Sequence, residues 1–429
     1  MITAHDMAPG ATAFRRAPDI SAAAGSPSLR ERILLVVLYV AMLISSIAFI
    51  EPSPHDAMIG VLAVACLIAG VRFDRVVALL LLLLVFWNAA GLVALMNALG
   101  NDKSVQYAIT SVYLGGTAIV YACVFARDSM GRIAAMRAGY VASATLAAFL
   151  GIMGYFHIGP GSDRFELYGR AMGPFKDPNV YAPYLIWPML IVICRSMTER
   201  IKFIDLLILG IMVPGFLLSF SRGAWAHLAA SGLIMMLLLM LTAPTPRARM
   251  RLTLFMFAGI FLLAIGVVAL MSIDSVREMF LQRAQAVQSY DVGQGGRFQL
   301  QEYALSSLLD YPLGMGPHEF ARIYGLQQHN VYLQAFVVYG WIGGISYILL
   351  IVATLVVGLR AVLVRAPWQN ALIVSLATFA GLAGEGAIID TDHWRHFFLL
   401  LGLVWGLAAA TIRQQKGLPN SAQAVVARA

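Results

Sequence analysis

Residues 76–96 read VVALLLLLLVFWNAAGLVALM, which is 21 residues without a charge. About 20 such residues, wound as helix, cross a hydrocarbon core, so this run is a membrane span. It is not isolated. Working outward, apolar runs bounded by charges or by Pro and Gly fall near 33–50, 57–71, 105–125, 138–156, 180–193, 203–220, 224–241, 252–272, 331–357, 371–388 and 397–411. Of the 429 residues, 60% are hydrophobic and 12% charged, against about 25% charged in an ordinary soluble domain. A soluble globular protein is excluded. The expected fold is all-α and polytopic, with about twelve transmembrane helices and no internal repeat.

Twelve crossings put both termini on one side, and the basic residues say which. Arg30 and Arg32, Arg72 and Arg75, Arg127, Arg132 and Arg137, Arg195, Arg200 and Lys202, Arg247, Arg249 and Arg251, and Arg360 and Arg365 occupy alternate loops. Positive-inside orientation makes these loops cytoplasmic and leaves the opposite face acidic. The formal charge of +8 is therefore sorted by membrane side, and nucleic acid is not an expected partner; the lipid bilayer is. Cys66, Cys123 and Cys194 all lie in apolar runs, which offers neither a disulfide framework nor a cysteine zinc site. Residues 1–28, rich in Ala, Pro, Gly and Ser, and residues 413–429 read as cytoplasmic tails, the first disordered. Between them, 29–412 forms the transmembrane domain.

Two outer segments are too long for plain connectors, 157–179 and the loop 273–328. In the second, Ser275 with Glu278 reads as a capping box for a short helix, and Arg297 to Leu309 as another helix ending before Pro312. A small helical cap on the outer face is expected.

On an acidic face an arginine needs a reason. Arg222, in Phe220-Ser221-Arg222-Gly223-Ala224-Trp225, is held at the membrane mouth by a tight turn, either as a snorkelling anchor or as a site cation. Arg297 follows Gly293-Gln294-Gly295-Gly296 and opens a helix, where the macrodipole disfavours a cation, so its charge is wanted for something else. His329, with Asn330, begins a span; an imidazole there is either polar punctuation or a base able to accept a proton near neutral pH. Two permanent cations beside a candidate base suit a diphosphate leaving group on a lipid. Asp390-Thr391-Asp392-His393 with His396 resembles a carboxylate–histidine cluster, but a solvated connector accounts for it and no metal is expected.

Arg170-Ala171-Met172-Gly173-Pro174-Phe175-Lys176-Asp177-Pro178-Asn179, then Ser221-Arg222-Gly223-Ala224-Trp225, Pro312-Leu313-Gly314-Met315-Gly316, and His329-Asn330-Val331-Tyr332-Leu333 with Gly340 resemble the ordered signature of the O-antigen ligase and polymerase-like superfamily over roughly residues 30–412. The resemblance implies a GT-C-like, metal-independent, inverting glycosyltransferase without cofactor. It implies a site facing the periplasm from the bacterial inner membrane, an undecaprenyl-diphosphate-linked glycan as donor, and lipid A-core or another glycan as acceptor. On this resemblance Arg222 and Arg297 hold diphosphate and His329 activates the acceptor hydroxyl, while Arg170, Lys176, Asn179 and Asn330 contact substrate. O-antigen ligation in lipopolysaccharide biosynthesis is the expected activity; a polymerase extending polyprenyl-linked repeat units, or a transporter of such glycans, are the alternatives.

Overall fold

A computed structural model describes residues 27–285 and 296–417. The described residues form fifteen α-helices and no strand. Each of the twelve apolar runs is a helix: α1 (Leu29–Leu43), α2 (Pro54–Ile68), α3 (Arg75–Leu95), α4 (Asp102–Phe125), α5 (Ser129–Tyr155), α6 (Pro178–Thr198), α7 (Phe203–Leu217), α8 (Arg222–Thr242), α9 (Pro246–Met271), α13 (Val331–Val362), α14 (Gln369–Glu385) and α15 (Arg395–Gln415). The other three, α10 (Asp274–Arg283), α11 (Arg297–Ser307) and α12 (Glu319–Tyr324), form the cap. The tails expected at 1–28 and 413–429 lie outside the described residues except for 27–28 and 413–417, and α15 runs on through Gln415.

Eight of the twelve apolar helices are long and apolar enough to cross a membrane. The exceptions, α1, α2, α7 and α14, have 15 to 17 residues, or about 22–26 Å at 1.5 Å per residue, short of a hydrocarbon core of ~30 Å. They are cut short at the capped end. There the chain leaves helix at residues 44–53, 218–221 and 386–394, which a membrane protein tolerates only where backbone polar groups are satisfied inside the protein or face a water-filled cavity. Protein groups meet that need. Ser46 N–H donates to Ser143 Oγ at 3.2 Å, Ala48 N–H to the Pro174 carbonyl at 2.9 Å, and Val331 N–H to the Gly386 carbonyl at 2.8 Å. The opposite end is tied by Arg132 with Glu31, Arg413 with Asp74, and Arg195 with Asp205.

Small residues let the helices approach closely, as interfaces in lipid require. Gly402 and Gly406 of α15 lie on Ala118 and Ala122 of α4, where an added Cβ would come within 2.7 Å of the Ala118 carbonyl and 2.6 Å of the Ala122 carbonyl. Gly381 of α14 similarly seats His227 and Ser231 of α8. By contrast α9 is apolar and exposed all round, with Phe257, Phe261, Leu262 and Val268 more than half exposed and only Leu252 buried. Such a helix requires lipid around it.

Two helices depart from expectation. Ser275 and Glu278 do not make a capping box: α10 begins one residue earlier, at Asp274, and no side chain caps it. The run expected as one helix at 331–357 is broken at Gly340, with φ 71° and ψ −171°. Pro312-Leu313-Gly314-Met315-Gly316 tucks into the break, with Trp341 N–H donating to the Pro312 carbonyl at 3.0 Å and Met315 N–H to the Val337 carbonyl at 2.7 Å. A Cβ at Gly340 would meet the Pro312 carbonyl oxygen at 2.5 Å. The fit explains why both motifs carry glycine. Gly340→Ala should destabilise the protein by about 1–3 kcal/mol from backbone strain alone, read as a lower apparent Tm of the detergent-purified variant; an unchanged Tm would mean that the break is not held by this contact.

Candidate active site

The capped end is recessed, and arginines from four segments converge there. Ser221 is the N-cap of α8, its Oγ accepting from Ala224 N–H at 3.4 Å, so Arg222 occupies the first helical position. Its Nη1 donates to the Gln285 carbonyl at 2.9 Å, just beyond α10. Arg170 Nε donates to the Ser219 carbonyl and its Nη2 to Asn179 Oδ1, both at 2.7 Å, which stitches the α7–α8 turn to the start of α6. Asn179 is itself fixed because Asp177, the N-cap of α6, accepts from its N–H at 2.6 Å. Arg297 opens α11 as the sequence predicts, with Gly296 as N-cap; Gly293 to Gly295 lie outside the described residues. With Arg283 from the last turn of α10, these side chains line one cavity of about 670 Å³. Gln301, Trp225 and Glu385 complete its polar and aromatic wall.

Gly223 follows for a steric reason. A Cβ there would lie 2.9 Å from Glu385 Oε1 and 3.3 Å from Ile388 Cδ1, so glycine gives the α14 carboxyl room beside the arginine turn.

His329 lies beside the cavity and is not part of its lining. Its φ of 48° bends the chain into α13, and the Gln301 side chain, which lines the cavity, reaches its carbonyl at 3.5 Å. His329 Nδ1 lies 3.6 Å from Asp390 Oδ2, with side-chain exposures of 41% and 20%. That spacing is beyond a hydrogen bond but leaves a carboxylate beside an accessible imidazole. Burial pushes the Asp390 carboxyl above its ordinary range, while His329 pulls it the other way.

Asn330 Oδ1 is occupied by capping α13, accepting from Tyr332 N–H at 3.0 Å and Leu333 N–H at 3.2 Å. Lys176 is not brought to this cavity: its Nζ pairs with Glu51 Oε2 at 3.0 Å beside a separate cavity of about 250 Å³. The structure thus gathers Arg170, Asn179, Arg222 and Arg297 around one space, with His329 outside its lining and joined to it through Gln301, and Lys176 elsewhere.

The segment 390–396 is not a solvated connector. Asp392 is 2% exposed and accepts from Tyr107 Oη at 2.6 Å and Gln334 Nε2 at 3.3 Å. Burial would raise its carboxyl, but His393 and the Tyr107 hydroxyl hold it below the usual carboxylate range. Arg395 makes a two-point contact with Asp56, both bonds at 2.7 Å. The segment is therefore a packed wall of buried and half-buried residues rather than a loop in water. Among the described residues no group of three or more His, Cys, Asp or Glu is placed to hold a metal ion.

Sequence reasoning left Arg283 as one of three alternatives to Arg297 in its loop, with Arg277 and Arg322, and missed Glu385 and His227. Glu385 and His227 had a signal, since each is an ionisable residue inside an apolar run, where such groups mark function or a buried partner. They are that partner for each other: His227 Nδ1 lies 2.8 Å from Glu385 Oε2, with exposures of 0% and 1%.

Fold and site together define a polytopic all-α membrane protein with a cationic cavity at one end. Residues 207–348 match the family model described as O-antigen ligase, which supports an O-antigen ligase-like superfamily and, with it, glycosyltransferase-like activity on glycan-related substrates at a bilayer. The matched segment contains Arg222, Arg283, Arg297 and His329, while Arg170, Asn179, Glu385 and Asp390 lie outside it. No curated protein matches the chain.

Proposed function

We propose that the protein transfers a glycan from undecaprenyl diphosphate to an acceptor hydroxyl at the periplasmic face of the inner membrane, with lipid A-core as the acceptor in O-antigen ligation. One observation carries the reading: Arg170, Arg222, Arg283 and Arg297 border a single cavity of about 670 Å³, whose lining residue Gln301 reaches the backbone carbonyl of His329. Guanidinium groups stay charged at all working pH and bind phosphate oxygens in a fork, which suits a diphosphate better than a neutral or singly charged headgroup.

The reaction is a single displacement with inversion. The acceptor oxygen bonds to the anomeric carbon as the bond from that carbon to the diphosphate oxygen breaks. His329 takes the hydroxyl proton, and undecaprenyl diphosphate leaves with the electron pair. Arg222 and Arg297 stabilise the charge that grows on the departing oxygen, which fixed donors do without reorganising. Asp390, beside Nδ1 of His329, orients the ring and stabilises the imidazolium once the proton has moved. Asp390→Asn should therefore lower kcat by about tenfold or more and leave donor KM near the wild-type value; a change confined to KM would assign Asp390 to substrate binding instead.

The test is a reconstitution. Purified protein is incubated with an undecaprenyl-diphosphate oligosaccharide and lipid A-core, without nucleotide or added metal. Glycan on lipid A supports ligation, longer polyprenyl-linked chains would make the enzyme a polymerase, and unchanged donor moved across a vesicle membrane would make it a transporter.

A further inference from the structure

Behind the cavity lies a pair that this reaction scheme does not use. His227 is on α8, five residues after Arg222, and Glu385 ends α14. His227 Nε2 faces the Thr378 carbonyl at 3.0 Å, and a carbonyl only accepts, so Nε2 carries a hydrogen. Nδ1 faces Glu385 Oε2 at 2.8 Å. Two lone pairs do not approach to that distance unshared, so a second proton lies between them. Whichever atom holds it, the pair carries one positive and one negative charge or none of either, and its net charge is zero. Meanwhile Glu385 Oε1 is turned toward Gly223 and borders the arginine cavity.

A lone carboxylate at that place would offset part of the charge meant for the ligand. We infer that His227 is a positioning residue that holds its pair with Glu385 at zero net charge, so that the carboxyl does not offset the attraction of the arginine cavity for a diphosphate. Among the described residues, the charged and titratable groups around the pair are Arg222 on its own helix, Arg170, Arg283 and Arg297 across the cavity, and His396 on α15. None of these supplies the Nδ1 proton bridge to Glu385. Among the described residues, only His227 is seen within hydrogen-bonding distance of Oε2.

The inference rests on the diphosphate reading above, and its test separates the two. Undecaprenyl diphosphate in detergent micelles is titrated against the full-length protein, with Trp225, which borders the cavity, contributing to the fluorescence signal. Binding by the wild type supports the functional reading; its absence overturns both. His227→Gln removes the proton bridge to Glu385 and should weaken binding about tenfold, the scale of one added charge nearby. In the transfer assay the same variant should raise donor KM by a similar factor and leave kcat unchanged. The double variant His227→Gln, Glu385→Gln has no carboxyl to neutralise and should return to within about threefold of the wild type. Should the single variant fail to fold while the double variant folds and binds, the carboxyl's charge is again the cause. A double variant as impaired as the single one, or a His227→Gln variant that binds like the wild type, overturns the proposal and leaves the diphosphate site standing.

Discussion

His329→Ala is expected to lower kcat for glycan transfer by about 10²–10⁴-fold, the usual contribution of a positioned general base, with donor binding retained. The side chain is 41% exposed and its Nδ1 lies beside Asp390, so truncation removes little packing. The turn into α13 is held by Asn330 capping and by Val331 N–H on the Gly386 carbonyl, neither of which uses the imidazole. A folded variant that binds undecaprenyl diphosphate but does not transfer is the predicted outcome. Transfer at the wild-type rate would remove His329 from the mechanism.

Arg222→Gln should be comparably damaging, by about 10²–10³-fold in kcat, since removing one preformed donor to a developing anion typically costs that much. Arg222→Lys should recover only part of the loss, because an ammonium cannot offer the planar two-point contact of a guanidinium. The arginine also holds the Gln285 carbonyl, so some loosening of the α10 end is expected with either change. An apparent Tm within a few degrees of the wild type separates loss of chemistry from loss of the cap. Equal activity in the glutamine variant would mean that Arg222 is only an interfacial anchor, as its place in an aromatic, membrane-edge turn also allows.

Much of this was legible beforehand because the bilayer imposes simple rules. All twelve apolar runs became helices, since no other open structure satisfies the backbone in lipid, and Arg222 and Arg297 fell where turn chemistry placed them. The four shortened helices were not legible. Hydropathy extends α1 into Ser45 and Ser46 and α14 past Glu385, whereas tertiary hydrogen bonds to Ser143, Tyr184 and Val331 end the helices sooner. The break at Gly340 was hidden for a related reason: the glycine reads as an ordinary span residue until Pro312 to Gly316 is seen against it. Within the site, Asp392 looked solvated because its neighbours in sequence are polar, yet its partners Tyr107 and Gln334 come from two other helices. Lys176 was grouped with Arg170 and Asn179 by proximity along the chain, and Glu51 draws it to another cavity.

On the proposed function, the cavity lined by Arg170, Arg222, Arg283 and Arg297 receives the diphosphate. A cryo-electron microscopy structure of the protein in lipid nanodiscs with undecaprenyl diphosphate tests it most directly. Diphosphate density is expected within hydrogen-bonding distance of the Arg222 and Arg297 guanidinium groups. Density instead in the cleft between α2 and α4, beside Lys103 and Arg395, would contradict it.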